Sequence, residues 1–284
     1  MAAPLLPVYG PIMPSQARQK AAPSYTMSIG ERLRHWRQLR RLSQLDLACE
    51  AEISTRHLSF IETGRAMPSR DMVMHLAESL DVPLRERNAL LLAAGYAPAF
   101  QARSLEDPAL RPVREAIDRL LAAHEPYPAV AIDRHWTLIA GNRAIQPLIA
   151  GVAPELLRPP VNVLRLSLHP EGMAPRIVNL AEWRDHLLFR LRRQYADSAD
   201  ERLADLITEL SAYPCGPSRP RSAEALATLA VHLRLRTAGG VLTLLSATMM
   251  FGAPLDATLS EIALEIFLPG DVDTAHALRA MSAD

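Results

Sequence analysis

Residues 43–65, SQLDLACEAEISTRHLSFIETGR, constrain the fold most, because they predict two short helices joined by a tight turn. Ser43 and Asp46 have the S-x-x-D spacing in which an N-cap hydroxyl and a following carboxylate satisfy the free amides of a helix start. Ser54 predicts the start of the second helix, and Gly64, which tolerates positive φ, predicts its end. That helix has an apolar side, Leu58 and Ile61, and a polar side, Thr55, Arg56, His57 and Ser59.

Three further helices are expected around this pair, from Ser28 to about Leu42, from Ser69 to Leu80 and from Leu84 to Ala94. The first begins with a capping box of Ser28 and Glu31, and the last ends before Gly95. The pattern therefore predicts a five-helix domain over 28–96. Residues 1–27 carry Pro, Ala, Ser and Gln without periodicity and are expected to form a flexible tail. Periodicity lapses again over 97–112, which we interpret as a linker.

Residues 113–284 mix helical and strand patterns and predict a second domain. A helix over Val113–His124 is followed by two β-prone runs, Tyr127–Asp133 and Trp136–Ala140. Helical spacing returns around Leu180–Leu191 and Leu203–Leu210. A late hairpin is expected from Leu229–Arg236 and Val241–Phe251, which flank Gly239-Gly240. Leu259–Leu268 suits a helix or a strand, and we favour a strand because four apolar residues alternate strictly. With a final helix, this order predicts an antiparallel α+β fold whose helices lie mostly on one side.

The composition is that of a soluble globular protein, with 49% hydrophobic and 22% charged residues. Up to Tyr96 there are 12 basic and 9 acidic residues, and beyond it 19 and 22, which supports a local basic surface on the first domain. Cys49 and Cys215 belong to no C-x-x-C pair, so neither a disulfide framework nor a zinc cluster is indicated.

The N-terminal residues do not resemble a signal peptide, because prolines interrupt the apolar part and the positive charges follow it. The longest apolar run, Val241–Pro254, is too short to span a bilayer. We therefore expect a soluble, cytoplasmic protein with no membrane partner.

Ser28 to Pro98 resembles the lambda-repressor-like, XRE-type helix-turn-helix domains. Within this stretch, STRHLSFIETGR and PSRDMVMHLAESLDVPLRERNALLLAAGYAP closely resemble the regulators called MmyB-like. The C-terminal part resembles the ligand-binding domain of the same family through YPAVAIDRHWTLIAGNRA, NVLRLSLHPEGMAPRIVNLAEW, LRLRTAGGVLTLLSATMMFGAPLD and IALEIFLPGD, in the expected order. The resemblance covers nearly all of 28–284. It implies a DNA-binding domain followed by a PAS-like sensor domain.

In the docking geometry that the resemblance implies, the polar side of the second helix of the pair enters the major groove. Gln44, just after the first cap, would contact a phosphate or an adenine, although a plain exposed helix residue is an alternative. Thr55, Arg56, His57 and Ser59 are the candidates for base edges, with Arg56 best suited to guanine. Arg65, and Arg40 or Arg41, would hold phosphates. Glu62 is assigned to internal hydrogen bonding, and Phe60 either touches a thymine methyl or covers its neighbours.

For the second domain, the resemblance implies a small hydrophobic, fatty-acid-like ligand. Candidate pocket residues are Trp136, Leu138, Asn142, Trp183 and His186, with His232 less favoured because it lies on the polar face of its strand. Both tryptophans also suit an ordinary core. Because no pair of histidines or cysteines has ligand spacing, we expect no metal and no cofactor.

Two other function classes remain as alternatives for the second domain. An enzyme is disfavoured because no G-x-S-x-G, G-x-G-x-x-G, phosphate-loop or H-E-x-x-H motif is present. A structural module for dimerisation or partner binding is the nearer alternative. Since one copy would contact only a few base pairs, a homodimer on double-stranded operator DNA is expected. We further hypothesise that a ligand changes the placement of the DNA-binding domains through the 97–124 connection.

Overall fold

The computed structural model describes residues 27–216, 231–252, 254 and 256–283. The tail expected over 1–27 lies outside these residues except for Met27, and so do Leu229 and Ala230 of the late hairpin. In the described part of the chain, no helix combines the length and apolar character needed to cross a membrane.

The N-terminal unit, 28–96, consists of five helices, as predicted. They are α1 (Ile29–Leu39), α2 (Gln44–Glu50), α3 (Thr55–Glu62), α4 (Arg70–Ser79) and α5 (Leu84–Ala93). Four of them begin at a serine whose hydroxyl accepts a backbone N–H three residues later, and Ser28 and Ser43 form complete capping boxes. Helix α1 ends three residues earlier than expected, because Arg41 adopts a left-handed φ of 57°.

The core of this unit is built from one apolar side of each helix. Leu33, Leu47, Leu58, Ile61 and Leu76 are all fully buried. Because α3 presents Leu58 and Ile61 to this core, its opposite side is turned to solvent.

The C-terminal unit, 111–283, is built on one antiparallel sheet, as predicted, and begins two residues before the expected boundary because its first helix starts at Arg111. Its strands are β1 (Ala129–Ile132), β2 (Leu138–Gly141), β3 (His232–Thr237), β4 (Gly240–Met250) and β5 (Ala263–Pro269), in the spatial order β2-β1-β5-β4-β3. Most of the ambiguous 259–268 segment is therefore a strand, which begins at Ala263 and pairs with β1 and β4 at the centre of the sheet, whereas Leu259 and Ser260 lie in a short helix. This is the antiparallel sheet with helices that was expected.

Most of the helices pack on one face of the sheet, as predicted, and α6 packs on the other. The helices are α6 (Arg111–Ala123), α7 (Gln146–Ile149), α8 (Val163–Leu168), α9 (Leu180–Ser198), α10 (Glu201–Ala212), α11 (Ala257–Ser260) and α12 (Val272–Ala283). Helix α6 packs Ile117 and Leu121 against one face. Helices α8 to α10 pack over the other face, where the largest core cluster lies.

Residues 97–112, predicted as a linker, are held to both units by hydrogen bonds. Asn88 of α5 accepts the backbone N–H groups of Ala99 and Phe100 through Oδ1, at 3.0 Å each. Further along, the carbonyl of Gln101 accepts the N–H of Ala257 at 2.7 Å. Both units are thus bound to the same short segment.

Candidate DNA-reading surface and ligand cavity

The solvent-facing side of α3 carries the four residues predicted to read base edges. Thr55 and Arg56 are exposed, and His57 and Ser59 are half-buried. Since the Ser54 hydroxyl accepts the N–H of His57 at 3.1 Å, the start of the helix is fixed while its polar side chains stay accessible. The arrangement suits a helix whose first turn meets the groove of a duplex.

Phe60 lies on the same side of α3 and contacts two arginines. The guanidinium carbon of Arg56 is 5.3 Å from the ring centroid, and that of Arg65 is 5.9 Å away. Cation–π attraction restrains both side chains. Phe60 thus covers its neighbours, which was one of its two expected roles.

A buried ion pair supports α3 from behind. Glu62 accepts hydrogen bonds from Arg37 Nε at 2.6 Å and Arg37 Nη2 at 2.8 Å. Gln44 Nε2 donates to Oε2 of Glu62 at 2.8 Å, which ties the start of α2 to the end of α3. The prediction that Glu62 serves internal hydrogen bonding is confirmed. Gln44, predicted as a DNA contact, is half-buried, and this bond to Glu62 holds its amide nitrogen.

The electrostatics of this pair favour the charged state of both partners. Burial alone would raise the pKa of Glu62, but the hydrogen bonds from Arg37 and Gln44 and the charge of Arg37 lower it overall. The same pair raises the pKa of Arg37, mainly through its hydrogen bond to Glu62.

Arg40, predicted as a phosphate contact, lies away from this surface. Its guanidinium donates to the carbonyl oxygens of Leu80 and Asp81, at 2.9 and 2.8 Å. It also donates to the carbonyl oxygens of Ala196 and Asp197 in the last turn of α9, at 3.3 and 3.1 Å. These four bonds place Arg40 in the contact between the two units. The alternative position, Arg41, is exposed.

The C-terminal unit contains a partly open apolar cavity of about 360 Å³ between the sheet and α8 and α9. This volume is within the range of small-molecule sites, roughly 300 to 1,000 Å³. Aliphatic side chains provide most of the wall, together with Trp136, Trp183 and Phe267. Since packed interiors leave few voids larger than a water molecule, a cavity of this size is suited to a ligand.

Three of the five predicted pocket residues line this cavity, namely Trp136, Leu138 and Trp183. Asn142 does not, because its buried amide hydrogen bonds to the backbone of Leu121, Tyr127 and Ala129 and holds α6 to the sheet. His186 stacks on Trp183, with ring centroids 5.5 Å apart, and does not line the wall. His232 is also absent from the wall, as its place on the polar side of β3 suggested.

Hydrogen bonds lead from the cavity wall toward the N-terminal unit. The indole N–H of Trp136 donates to Oε1 of Gln194 at 2.8 Å, and Gln194 Nε2 donates to the carbonyl of Arg134 at 2.6 Å. Arg134 Nη1 is 3.3 Å from Oε1 of Glu261, and the same carboxylate pairs with Arg85 of α5. Trp136, which lines the cavity, is thus four contacts from Arg85 of the helical unit.

Several residues in these contacts were missed by the sequence analysis. Arg37, Arg85, Arg190, Glu261 and Glu265 were not singled out, because each pairs with a residue distant in the chain. For Glu265 alone among these, the sequence contained a hint of its role. Glu265 lies within an apolar strand pattern, and because β5 is covered on both faces, the carboxylate of Glu265 has to be buried.

Comparison with known proteins gives two family matches. Residues 113–281 match the model described as the MmyB-like transcription regulator ligand binding domain, and residues 28–90 match a helix-turn-helix domain model. No curated protein matches the chain. Among solved structures, "Structure of an RNA-binding Light-Oxygen-Voltage Receptor" aligns with 91% of this chain, at 14% identity and a TM-score of 0.26. The chain spans 65% of that structure's chain, and the likeness is too distant to relate the two folds.

Proposed function

This chain belongs to the family defined by the MmyB-like transcription regulator ligand binding domain, and we propose that a small hydrophobic, fatty-acid-like ligand in its cavity controls sequence-specific DNA binding. The family and the helix-turn-helix domain make it a DNA-binding transcriptional regulator. One observation supports the proposal that the ligand controls DNA binding. Helix α9 walls the cavity with Trp183 and Leu187, and its last turn accepts hydrogen bonds from Arg40 of the N-terminal unit.

In this proposal, α3 is the helix that enters the major groove. Arg56 reads a guanine through two parallel hydrogen bonds, with Thr55, His57 and Ser59 at neighbouring base edges. Arg65, which flanks the same surface, holds a phosphate. Gln44 contacts DNA through its amide oxygen and the second N–H of its amide nitrogen, which the hydrogen bond to Glu62 leaves available. Of the two alternative phosphate contacts, we propose Arg41, because the guanidinium of Arg40 is hydrogen-bonded between the two units.

Two routes support coupling of the cavity to this surface. Helix α9 is one, since a ligand that displaces Leu187 also moves the carbonyls held by Arg40. The turn that contains Arg134 and Trp136 is the other, through Glu261 to Arg85. The sequence suggested coupling through the connecting segment 97–124 alone, and these contacts add two further routes between the units. Coupling requires only that the ligand favour one arrangement of the two units over another.

Two other roles for the C-terminal unit have less support. A purely structural module has no use for a cavity of about 360 Å³, because void volume lowers the stability of a core. A catalytic role would need polar groups poised toward a substrate, whereas the charged groups of this wall, Arg190 and Glu265, bind each other. We therefore propose a binding role.

Two copies are proposed to act together. A single α3 reaches only a few base pairs, whereas two copies reading half-sites about 34 Å apart would read a usable operator. In this form the protein is a cytoplasmic homodimer of XRE type. Sedimentation with and without operator DNA measures the assembly, and a monomer under both conditions would contradict it.

The sensing role can be tested by thermal melting of the full chain with 1-decanol and decanoate, two probes that share one aliphatic chain length. A ligand that binds only the folded state stabilises it by RT ln(1 + [L]/Kd), about 2.7 kcal/mol at a hundredfold excess over Kd. Leu187→Trp, which fills the cavity, should abolish the shift. Phe189→Trp on the exposed side of the same helix is the matched control and should keep it.

The regulatory role needs a second measurement, the affinity for an operator selected from random duplexes. Gel-shift titrations with and without the bound probe should differ for the wild-type chain and agree for Leu187→Trp. If neither probe shifts the melting curve, ligand sensing by this cavity is contradicted. If a probe binds and operator affinity stays constant, the coupling is contradicted while the binding site stands.

A further inference from the structure

Helix α9 has an outward side that is exposed along most of its length. Its inner side packs Trp183, Leu187, Leu188 and Leu191 into the core of the sheet unit. Since successive residues of an α-helix are about 100° apart around the axis, the opposite side carries one row of residues. They are Glu182, Asp185, Phe189, Arg193 and Ala196, and all five are exposed. We call this row the α9 stripe.

Phe189 lies at the middle of the α9 stripe and is 64% exposed. The chain has five phenylalanines, and the other four, Phe60, Phe100, Phe251 and Phe267, are all partly buried. Exposure of a large ring to water is unfavourable, by roughly 25 cal/mol for each Å² of apolar surface. Aromatic side chains are enriched where proteins contact each other. The ring thus indicates that another molecule covers the α9 stripe.

Phe189 divides the charges of the α9 stripe. The acidic residues, Glu182 and Asp185, precede it. The basic residues, Arg193 and its exposed neighbour Arg192, follow it. Asp185 and Arg193 are each four positions from Phe189. If a second α9 packs antiparallel about a two-fold axis at Phe189, each Asp185 lies opposite Arg193 of the other copy and the two rings meet. The stripe is therefore complementary to itself.

These charged groups are accessible to a second copy. The carboxylate of Asp185 is 3.8 Å from Nη2 of Arg184, and the side chain of Asp185 remains 51% exposed. Among the residues that the structure describes, Arg192 and Arg193 form no ion pair. Antiparallel helices also bring the negative end of one helix dipole beside the positive end of the other. Charge complementarity therefore favours a second copy of this chain over a partner whose surface carries one sign of charge.

We infer that two copies of this chain associate through α9, packed antiparallel with Phe189 at the two-fold axis. The inference rests on the proposed function, because it specifies the interface of the proposed homodimer. Phe189 supplies the apolar centre of the contact, and on each side of it Asp185 of one copy pairs with Arg193 of the other. Such an isologous contact closes after two copies, as a palindromic operator requires.

This interface connects the dimer contact to the cavity and to the DNA-binding unit. Trp183 and Leu187 line the cavity from the inner side of the same helix. The last turn of α9 holds Arg40 of the helical unit, and Asp197 in this turn is eight residues beyond Phe189. At about 1.5 Å per residue, the two last turns lie about 24 Å apart along the helix pair, with one helical unit at each end. This separation approaches the half-site spacing of about 34 Å.

Charge reversal tests the antiparallel contact. Sedimentation equilibrium of the full chain measures the Kd of the dimer, on operator DNA if the wild type requires it. Asp185→Arg alone and Arg193→Glu alone each place like charges opposite each other and should raise this Kd by roughly tenfold or more. An equimolar mixture of the two variants should restore the wild-type Kd, because a mixed dimer regains opposite charges at both pairs. Asp205→Arg on the exposed side of α10 is the matched control and should leave the Kd unchanged.

Substitutions at Phe189 provide an independent test if a charge reversal impairs folding. Phe189→Glu brings two carboxylates together at the two-fold axis and should also raise the Kd by roughly tenfold or more, whereas Phe189→Trp keeps an aromatic ring and should retain the dimer. A mixture that associates no better than its components, or a wild-type Kd in Phe189→Glu, overturns the α9 contact and leaves the proposed homodimer intact. A wild-type chain that is monomeric with and without operator DNA overturns both.

Discussion

Arg85 in the helical unit and Glu261 in the sheet unit form an ion pair with two hydrogen bonds, in which Nε and Nη2 are each 2.8 Å from a carboxylate oxygen. Both side chains are partly exposed, and pairs of this kind add little to stability. Their geometry matters more than their energy. The pair connects α5 to a carboxylate that also contacts Arg134, two residues from the cavity wall at Trp136.

Arg85→Ala should therefore uncouple the two units. We expect ligand affinity to stay within about twofold of the wild type, while the ratio of operator affinities with and without ligand falls to about 1. Arg111→Ala, which breaks an exposed pair with Glu115 on α6, serves as the control. Gel shifts with and without 1-decanol or decanoate, whichever binds, measure the ratio. An unaltered ratio in Arg85→Ala would rule out this contact as the coupling route.

Arg56 and Arg65 should differ in their effect on DNA, although both contact Phe60. Arg56→Ala removes a base reader and should cost about 1–3 kcal/mol on the preferred operator but little on random duplexes. Arg65→Ala should weaken binding to all sequences and lower the salt dependence by about one counterion. Gel-shift titrations at several salt concentrations separate the two effects. Equal losses on specific and random DNA for Arg56→Ala would contradict its assignment.

The pair of Arg37 and Glu62 predicts how the helical unit responds to acid. The pKa of Glu62 is lower in the folded state than its ordinary value near 4.5. Its stabilising effect is therefore fully present above that value and is lost as the pH falls through the folded pKa. Glu62→Gln should destabilise the unit by about 3–5 kcal/mol near neutral pH, because it leaves Arg37 buried without a counter-ion.

The same variant should also flatten the acid dependence of the unit. Hydrogen exchange of α1 and α3, followed by mass spectrometry from about pH 7 downward, reports the local stability of these helices. Glu115→Gln on α6 is the control for loss of one exposed carboxylate. Identical acid profiles for wild type and Glu62→Gln would mean that this ion pair does not govern the acid response.

Gly30 allows α1 to approach the end of α3. A Cβ atom at this position would lie 2.4 Å from the carbonyl oxygen of Ile61 and 2.7 Å from that of Glu62. Because both neighbours are backbone atoms, they cannot rotate away.

Gly30→Ala should destabilise the helical unit by about 1–3 kcal/mol and weaken operator binding with it. Gly239→Ala, at a turn where a Cβ would meet nothing within 4 Å, is the matched control. Equal melting temperatures for the two variants would contradict the close approach.

Much of the helical unit was predictable because its signals are local. An N-cap bond joins residues three positions apart, so Ser28, Ser43, Ser54 and Ser69 identified helix starts directly from sequence. The exposed side of α3 followed from the spacing of Leu58 and Ile61. The residues predicted on α3 therefore lie together on one side of that helix, whereas Gln44 bonds to Glu62 and Arg40 lies away from this surface, with carbonyl partners in α9 that are 156 and 157 positions distant.

The cavity was predicted less completely. Trp136, Leu138 and Trp183 were found, whereas Asn142 was assigned to the wall and instead holds α6 against the sheet. An amide side chain in an apolar stretch looks the same in a sequence whether it faces a ligand or satisfies backbone groups. Only the partners of the amide distinguish the two roles.

The sequence by itself determined the five helices, the antiparallel strands and the polar side of α3, because periodicity and capping act within a few residues. The tertiary structure alone decided the pairing of Arg190 with Glu265 and of Arg85 with Glu261. These partners lie 75 and 176 positions apart in the chain. Such pairs form only when packing removes water and brings distant elements together, so the charge of the cavity and its link to the DNA-binding unit are properties of the fold.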